Sequence, residues 1–311
     1  MNDLLVTLAD EHYVDQAKQL FSSAYFNAGW RGDYMLLAHE IPDEKLAWFR
    51  AKGILVKKCA PLHQGNIGRL SAVTVSRFYV FSPEFKRWKN IIYLDADIII
   101  RASLEHLARI NGFRAVREHY PLKNQFSDSV PENKKLWERL SASYDLTQPS
   151  FNAALMAFST SVIREDTFEN LKSLFHTYKD CHDYLTGEQP TLNLYFYKRW
   201  RELPYVYNAH PLGAEEHFCI PIGKMKAIAI HFACQEPWES THPFYREWRF
   251  NLERIDKIDL KNPRIPHQKW SRLDIELHWI YLRCRRLLYT VKKLIGSILR
   301  NLWLKSSTSA N

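Results

Sequence analysis

The stretch Ile91-Ile92-Tyr93-Leu94-Asp95-Ala96-Asp97-Ile98-Ile99-Ile100 constrains this chain more than any other. Its apolar run suits a buried strand of an α/β sheet, broken only where two carboxylates flank an alanine. In extended chain, residues i and i+2 project to one side, so Asp95 and Asp97 converge and small Ala96 leaves room for a ligand. Ionised carboxylates among isoleucines are costly unless paired or metal-bound, so the pair reads as part of a divalent-cation site. Ligands of open α/β sheets sit at strand carboxyl ends, where this pair stands.

Upstream, Leu4–Ala9 is a β-prone run, and Asp10 is placed to cap the amphipathic segment that starts near Tyr13. Tyr34–Ala38 and Ile54–Val56 read as further strands, with a helix from Pro42 to Phe49 between them. Such a β-α-β-α-β opening ordinarily binds a nucleotide through glycines, yet G-x-G-x-x-G and the Walker loop are both absent and the chain has only 10 glycines. A bound phosphate must then be neutralised otherwise, and a metal on Asp95 and Asp97 is the available means.

Downstream, Ser71–Phe81 reads as a helix carrying Arg77, either an ordinary exposed arginine or one that binds an anion. Residues 112–149 are polar and contain Pro121, Pro131 and Pro149, so they read as a lid or insert with a helix near Glu132–Tyr144. Phe151–Phe158 is a second buried strand with Asn152 at its entrance. Gly187-Glu188-Gln189-Pro190 opens a helix whose proline fits the first turn and whose Glu188 complements the dipole. Leu203–Asn208 and the run from Ile228 are further strands. The latter reaches His231, either a core histidine or the third ligand of a carboxylate and imidazole site of the type that accepts Mn²⁺.

The net charge of +9 is uneven: residues 261–311 hold 11 Lys or Arg against 2 Asp or Glu, while residues 1–260 hold 32 of each. A neutral body argues against a nucleic-acid groove, and a basic tail suits an anionic surface. From His267 onward, Leu273, Leu277, Ile280, Cys284, Leu287, Val291, Leu294, Ile298 and Leu302 recur at helical spacing. They are accompanied by Arg283, Arg285, Arg286, Lys292, Lys293, Arg300 and Lys305, with Trp279 and Trp303 as interfacial aromatics. This predicts a basic amphipathic helix lying on a membrane, or else packed on the body or a second subunit. Five cysteines without a Cys-x-x-Cys suit reduced thiols in the cytosol, and neither a secretion signal nor a spanning segment is expected.

Taken in order, Val6-Thr7-Leu8-Ala9, Tyr93-Leu94-Asp95-Ala96-Asp97, Phe151-Asn152-Ala153-Ala154, Glu188-Gln189-Pro190-Thr191-Leu192-Asn193 and His231-Phe232 to Pro237-Trp238 resemble the retaining glycosyltransferases of family 8, the group of glycogenin and of bacterial lipopolysaccharide galactosyl- and glucosyltransferases. The resemblance spans residues 4 to about 240. It implies a GT-A fold over residues 1–260, a Rossmann-like mixed sheet flanked by helices, with residues 261–311 as the helical tail. It further implies a UDP-glucose or UDP-galactose donor and Mn²⁺, with Mg²⁺ the second choice, held by Asp95, Asp97 and His231. By the same resemblance, Leu8, Asp10 and Tyr13 lie against uridine and Arg77 near the donor. Asn152, Glu188 and Gln189 surround the transferred sugar, with Gln189 nearest the reacting face.

The chain departs from that pattern: Glu188 stands for an aspartate, Asn152-Ala153-Ala154 for Asn-Ser-Gly, and in the donor-binding loop after the histidine, which is shorter, Cys234 stands for a glycine and Glu236 for a phosphate-binding lysine. A carboxylate beside a diphosphate repels it unless another cation intervenes. The expected activity is metal-dependent hexosyl transfer to a glycan or lipid-linked acceptor, as in lipopolysaccharide biosynthesis, at the inner face of the membrane. The rivals are a nucleotidyltransferase making NDP-sugars, which lacks its glycine loop here, and a non-catalytic membrane-surface module.

Overall fold

The computed structural model describes residues 2–127, 134–221 and 224–308, without the side chains of 294, 298, 299 and 301–308. Three parallel strands open the chain, β1 (Leu4–Ala9), β2 (Asp33–His39) and β3 (Leu55–Cys59), linked by helices α1 (Val14–Phe26) and α2 (Asp43–Ala51). A small hairpin, β4 (Asn66–Ile67) and β5 (Leu70–Ser71), leads into a 3-10 run over Ala72–Phe81. Then come β6 (Asn90–Leu94), β7 (Ile98–Ile100), β8 (Phe113–Pro121), α3 (Lys134–Ser143) and β9 (Pro149–Ser159). They are followed by α4 (Thr167–Tyr178), α5 (Gln189–Tyr195), β10 (Trp200–Leu203), α6 (Pro211–Phe218), β11 (Ala229–His231), α7 (Tyr245–Glu253) and α8 (Arg272–Thr308).

Seven strands form one mixed sheet in the order β10-β8-β9-β6-β1-β2-β3, with β9 antiparallel to both β6 and β8. Alternation along β1 sends Leu5 and Ala9 to the face covered by α1 and α7, and Leu4, Val6 and Leu8 to the face covered by Val75, Phe78 and Phe81. Both faces are buried, which explains why the central strands read as continuous apolar runs.

Four expectations change. The apolar run through the aspartate pair is not one strand: β6 stops at Leu94, Asp95–Asp97 form a turn, and β7 pairs instead with β11 in a separate two-stranded sheet. Residues 112–149 are not wholly an insert, since β8 lies inside the main sheet; Pro131 and Glu132 lie outside the described residues. Leu203–Asn208 is strand only to Leu203, because Pro204 withholds a donor and Tyr205–Tyr207 turn as a 3-10 segment. The segment carrying Arg77 is 3-10 rather than α, unusually long for that geometry.

The C-terminal segment enters the body before it leaves it. His267 N donates to Asn27 O at 2.8 Å, and Tyr25 Oη donates to Asn262 O at 2.7 Å. Gly29 adopts φ +58° there, and a Cβ on it would stand 2.6 Å from Arg264 O. Within α8, Ile275 and Leu282 are buried in the main core, whereas Leu273, Leu277, Ile280, Leu287, Leu288 and Val291 are exposed. Of the residues singled out in the tail, the side chains of Leu294, Ile298, Leu302, Trp303 and Lys305 lie outside those described.

Candidate functional site

The carboxyl end of β6 builds the floor of the site. Asp95 N donates to Ala154 O at 2.8 Å, so Asp95 stays tied to β9 while Ile98 N, donating to Asp95 O at 3.3 Å, closes the turn. The register of β11 on β7 places His231 opposite Ile98, and Phe232 N donates to Asp97 O at 3.2 Å. A strand about 130 residues downstream thereby delivers an imidazole to the aspartate turn. Ligand atoms of Asp95, Asp97 and His231 all lie within 4.8 Å of one another.

Asp97 Oδ1 is buried without a hydrogen-bond partner, and His231 Nε2 stands 3.6 Å from it, too far to donate. Burial, reinforced by Asp95, pushes the Asp97 carboxyl up to about 7. Burial also pushes His231 down, which favours the neutral, ligating imidazole. An orphaned buried carboxylate oxygen beside a neutral imidazole and a second carboxylate is a donor set that fits a divalent ion of the Mn²⁺ type.

Behind the floor, Arg77 is almost fully buried. Its Nη2 donates to Asp95 Oδ1 at 2.6 Å, its Nη1 lies 2.5 Å from Glu188 Oε1, and its guanidinium sits 4.9 Å from the centre of the Tyr93 ring. Tyr93 Oη donates to the same Asp95 oxygen at 2.7 Å. Burial opposes the Arg77 charge, but Asp95 and Glu188 outweigh it and hold the guanidinium well above its ordinary pKa. Burial raises Glu188, with Arg77 opposing. Arg77 and Glu188 are therefore an internal ion pair that orients Asp95, and Glu188 is not a free carboxylate.

Asn152 and Gln189 are equally committed. Asn152 Oδ1 accepts from Ala154 N and Asn208 Nδ2, each at 2.9 Å, and Gln189 Oε1 accepts from Ala153 N at 2.9 Å. Their amide nitrogens reach one carboxylate, Glu118 Oε1, at 2.7 and 3.5 Å. Burial raises Glu118 above the usual carboxylate range, and these two amides oppose the rise. Sequence reasoning missed Glu118 because it lies within the stretch read as an insert. The available signal was Phe113-Arg114-Ala115-Val116, a β-prone start that continues straight into Glu118.

These groups line one cavity of about 700 Å³. Leu8 at the end of β1 contributes to its wall, as do Asp10, Tyr13, Ala96 and Cys234. Asp10 Oδ1 caps the turn after β1, accepting from His12 N at 3.0 Å and Tyr13 N at 3.1 Å. Tyr13 is half-exposed and packs edge-on to Trp238 at 5.9 Å. Burial, followed by Asp97, Asp10 and Glu236, pushes its phenol up to about 12. Cys234 takes the left-handed conformation, φ 57°, at a position where glycine carries no strain. Glu236 is exposed, shares a hydrogen bond with Glu239 and lies outside the cavity lining.

The family model described as glycosyl transferase family 8 matches residues 5–242. Galactinol synthase 4 of Arabidopsis thaliana is 25% identical over 224 residues, 65% of this chain and 63% of that protein. Glycosyltransferase GlyB of Streptococcus pneumoniae is 27% identical over 198 residues, 58% of this chain and 42% of that protein. The chain thus spans less than two thirds of the length of these relatives. Among solved structures, the galactosyltransferase LgtC in complex with donor and acceptor sugar analogs superposes with a TM-score of 0.57 at 18% identity, covering 85% of this chain and 98% of that one. At that identity the likeness concerns the fold, which is GT-A.

Proposed function

The chain belongs to glycosyl transferase family 8, and from that premise we propose that it transfers a hexose, glucose or galactose, from a UDP-sugar to a glycan or lipid-linked acceptor with retention of configuration. The observation that carries this reading is the buried, unpartnered Asp97 oxygen beside Asp95 and His231 at the floor of the cavity. Asp95, Asp97 and His231 would hold Mn²⁺, which supplies Lewis-acid neutralisation of the donor diphosphate. Arg77 and Tyr93 keep Asp95 aimed at that point, and Arg77 is itself locked by Glu188. Tyr13 and Asp10, both in the cavity wall, would receive the uracil ring, Tyr13 offering a face and Asp10 its second oxygen.

Glu188 is occupied by Arg77, which speaks against its acting as a nucleophile. The reading is front-face transfer: the acceptor hydroxyl attacks the anomeric carbon, the bond to the UDP oxygen breaks, and the hydroxyl proton passes to that leaving oxygen. Glu118, Asn152 and Gln189 would position the sugar by hydrogen bonds. The exposure of Glu236 outside the cavity lining weakens the repulsion that a carboxylate at the family's lysine position would cause. For the tail, no helix among the described residues is long and apolar enough to cross a membrane. The exposed apolar and basic residues of α8 support a helix that lies on an anionic membrane surface.

A thermal-shift comparison of UDP, GDP, ADP and CMP, each with Mn²⁺ and with EDTA, tests the donor reading. A ligand that binds only the folded state stabilises it by about 2.7 kcal/mol at a hundredfold excess over Kd. UDP with Mn²⁺ should stabilise, EDTA should abolish most of the effect, and the other nucleotides should do little. Equal stabilisation by GDP or ADP would overturn the donor assignment.

A further inference from the structure

One part of the cavity wall plays no role in the reading above. Arg117 and His119, two apart in β8, both line the cavity. Against them lies α6, which brings His217, whose ring centre is 3.9 Å from that of His119. The third element is α8. Arg285 fastens it to the end of α6, its Nε donating to Phe218 O at 2.6 Å and its Nη2 to Cys219 O at 2.7 Å. The next residue, Arg286, is exposed and outside the cavity lining, yet its charge lowers both His119 and His217.

The charges at this wall are lopsided. After burial, the groups that push His119 down to about 3 are His217, Arg286, His210 and Arg117, every one of them basic. Two carboxylates face the region. Glu216 is exposed and lies 3.8 Å from His217 Nε2, while Glu118 is taken up by Asn152 and Gln189. Among the described residues, neither Arg117 nor Arg286 has a carboxylate within 4.0 Å. Two exposed guanidinium groups without a carboxylate partner among the described residues, beside a close, tilted imidazole pair, are open to an anion, and the planar fork of arginine matches phosphate oxygens two at a time.

We propose that the wall formed by Arg117, His119 and His217, with the charge of exposed Arg286 nearby, binds a phosphate ester borne by the acceptor. The proposal rests on the glycosyltransferase reading for the word acceptor, but the anion site stands on these residues alone. Donor diphosphate would find its counter-charge in the metal that Asp95, Asp97 and His231 would hold, so this wall is a second anion site in the same cavity. It brings the C-terminal helix close to acceptor recognition, because Ile275, Leu282 and Arg285 dock α8 on the body beside α6.

The test uses the full chain in EDTA, where no metal contributes, titrated calorimetrically with inorganic phosphate at low salt. Wild type should bind, and the double variant Arg117→Gln with Arg286→Gln should bind at least tenfold more weakly. Absence of phosphate binding in wild type, or equal binding by the double variant, would overturn the proposal. If the double variant fails to fold, Arg286→Gln alone, an exposed helix substitution, should still weaken binding, and no change would count against the proposal. A separate titration of both proteins with UDP and Mn²⁺ should give matching affinities. Failure of wild type to bind UDP there would sink the donor reading while leaving the phosphate result intact. Free glycerol phosphate and phosphatidylglycerol vesicles, compared through the same variants, distinguish a soluble phosphorylated acceptor from a lipid headgroup, and loss of either through Arg117 and Arg286 supports the site.

Discussion

Asp97 exposes the conflict between stability and function at single-residue resolution. Its buried Oδ1 has no donor, and burial holds neighbouring His231 below the usual imidazole pKa. A buried charge without compensation weakens the fold, so Asp97→Asn should raise the melting temperature of the metal-free protein and also abolish the extra stabilisation by Mn²⁺. Turnover should fall by about 10²–10³-fold, the scale seen when one preorganised electrostatic group is removed. Comparable sugar-nucleotide turnover in the folded variant would refute the metal assignment. Arg77 behaves in the opposite sense. Removing it, as in Arg77→Met, leaves Glu188 without its cation in the interior and Asp95 Oδ1 held by Tyr93 alone. Loss of one partner of a buried pair costs about 3–5 kcal/mol, which urea denaturation would register as a lower midpoint at unchanged slope.

At the level of elements, the seven-residue α5 is too short to hold itself together and depends on what grips its first turn. Gly187 takes φ +54° just before it, and His182 Nδ1 donates to Gly187 O at 2.7 Å. The His182 ring lies edge-on to Phe126 and Phe175. Burial pushes His182 from 6.5 down to about 4, so the unfolded chain takes up a proton between those values while the folded protein does not. Its contribution is present above pH 6.5 and lost as pH falls toward 4. The shift corresponds to about 3 kcal/mol. His119 and His210, also lowered by burial to about 3 and 4, steepen the same acid limb. His182→Asn, which retains a donor toward Gly187 O, should flatten part of the stability profile between pH 4 and 6.5. An unchanged slope would show that the ring is protonated in the folded state.

For the whole molecule, the tail divides between docking and exposure. Cutting at residue 267 removes Ile275 and Leu282 from the core along with the Arg285 clamp, so that truncation should cost several kcal/mol at about 1.5–3 kcal/mol per buried apolar side chain. Deletion of 290–311 should leave the melting temperature nearly unchanged yet weaken co-sedimentation with anionic vesicles, most clearly at low salt. Undiminished vesicle binding would count against the membrane role of the helix. The helical spacing of the tail was readable, but the apolar stripe it marks, Leu273, Leu277, Ile280 and Leu287, is the exposed one; Ile275 and Leu282 do the docking. Sequence alone determined what depends on neighbours in the chain. Apolar runs marked β1, β2, β6 and β9, and a carboxylate pair interrupting such a run marked the floor of the cavity, because burying charge there demands a reason. Tertiary structure decided whatever depends on pairing between distant segments. It set β7 apart from the main sheet so that β11 could bring His231 to Asp97, turned Glu188 into the partner of Arg77, and made Glu118 the carboxylate that Asn152 and Gln189 address. Strand register and side-chain partners are fixed by contacts that close only when the sheet does, and no local pattern of residues encodes them.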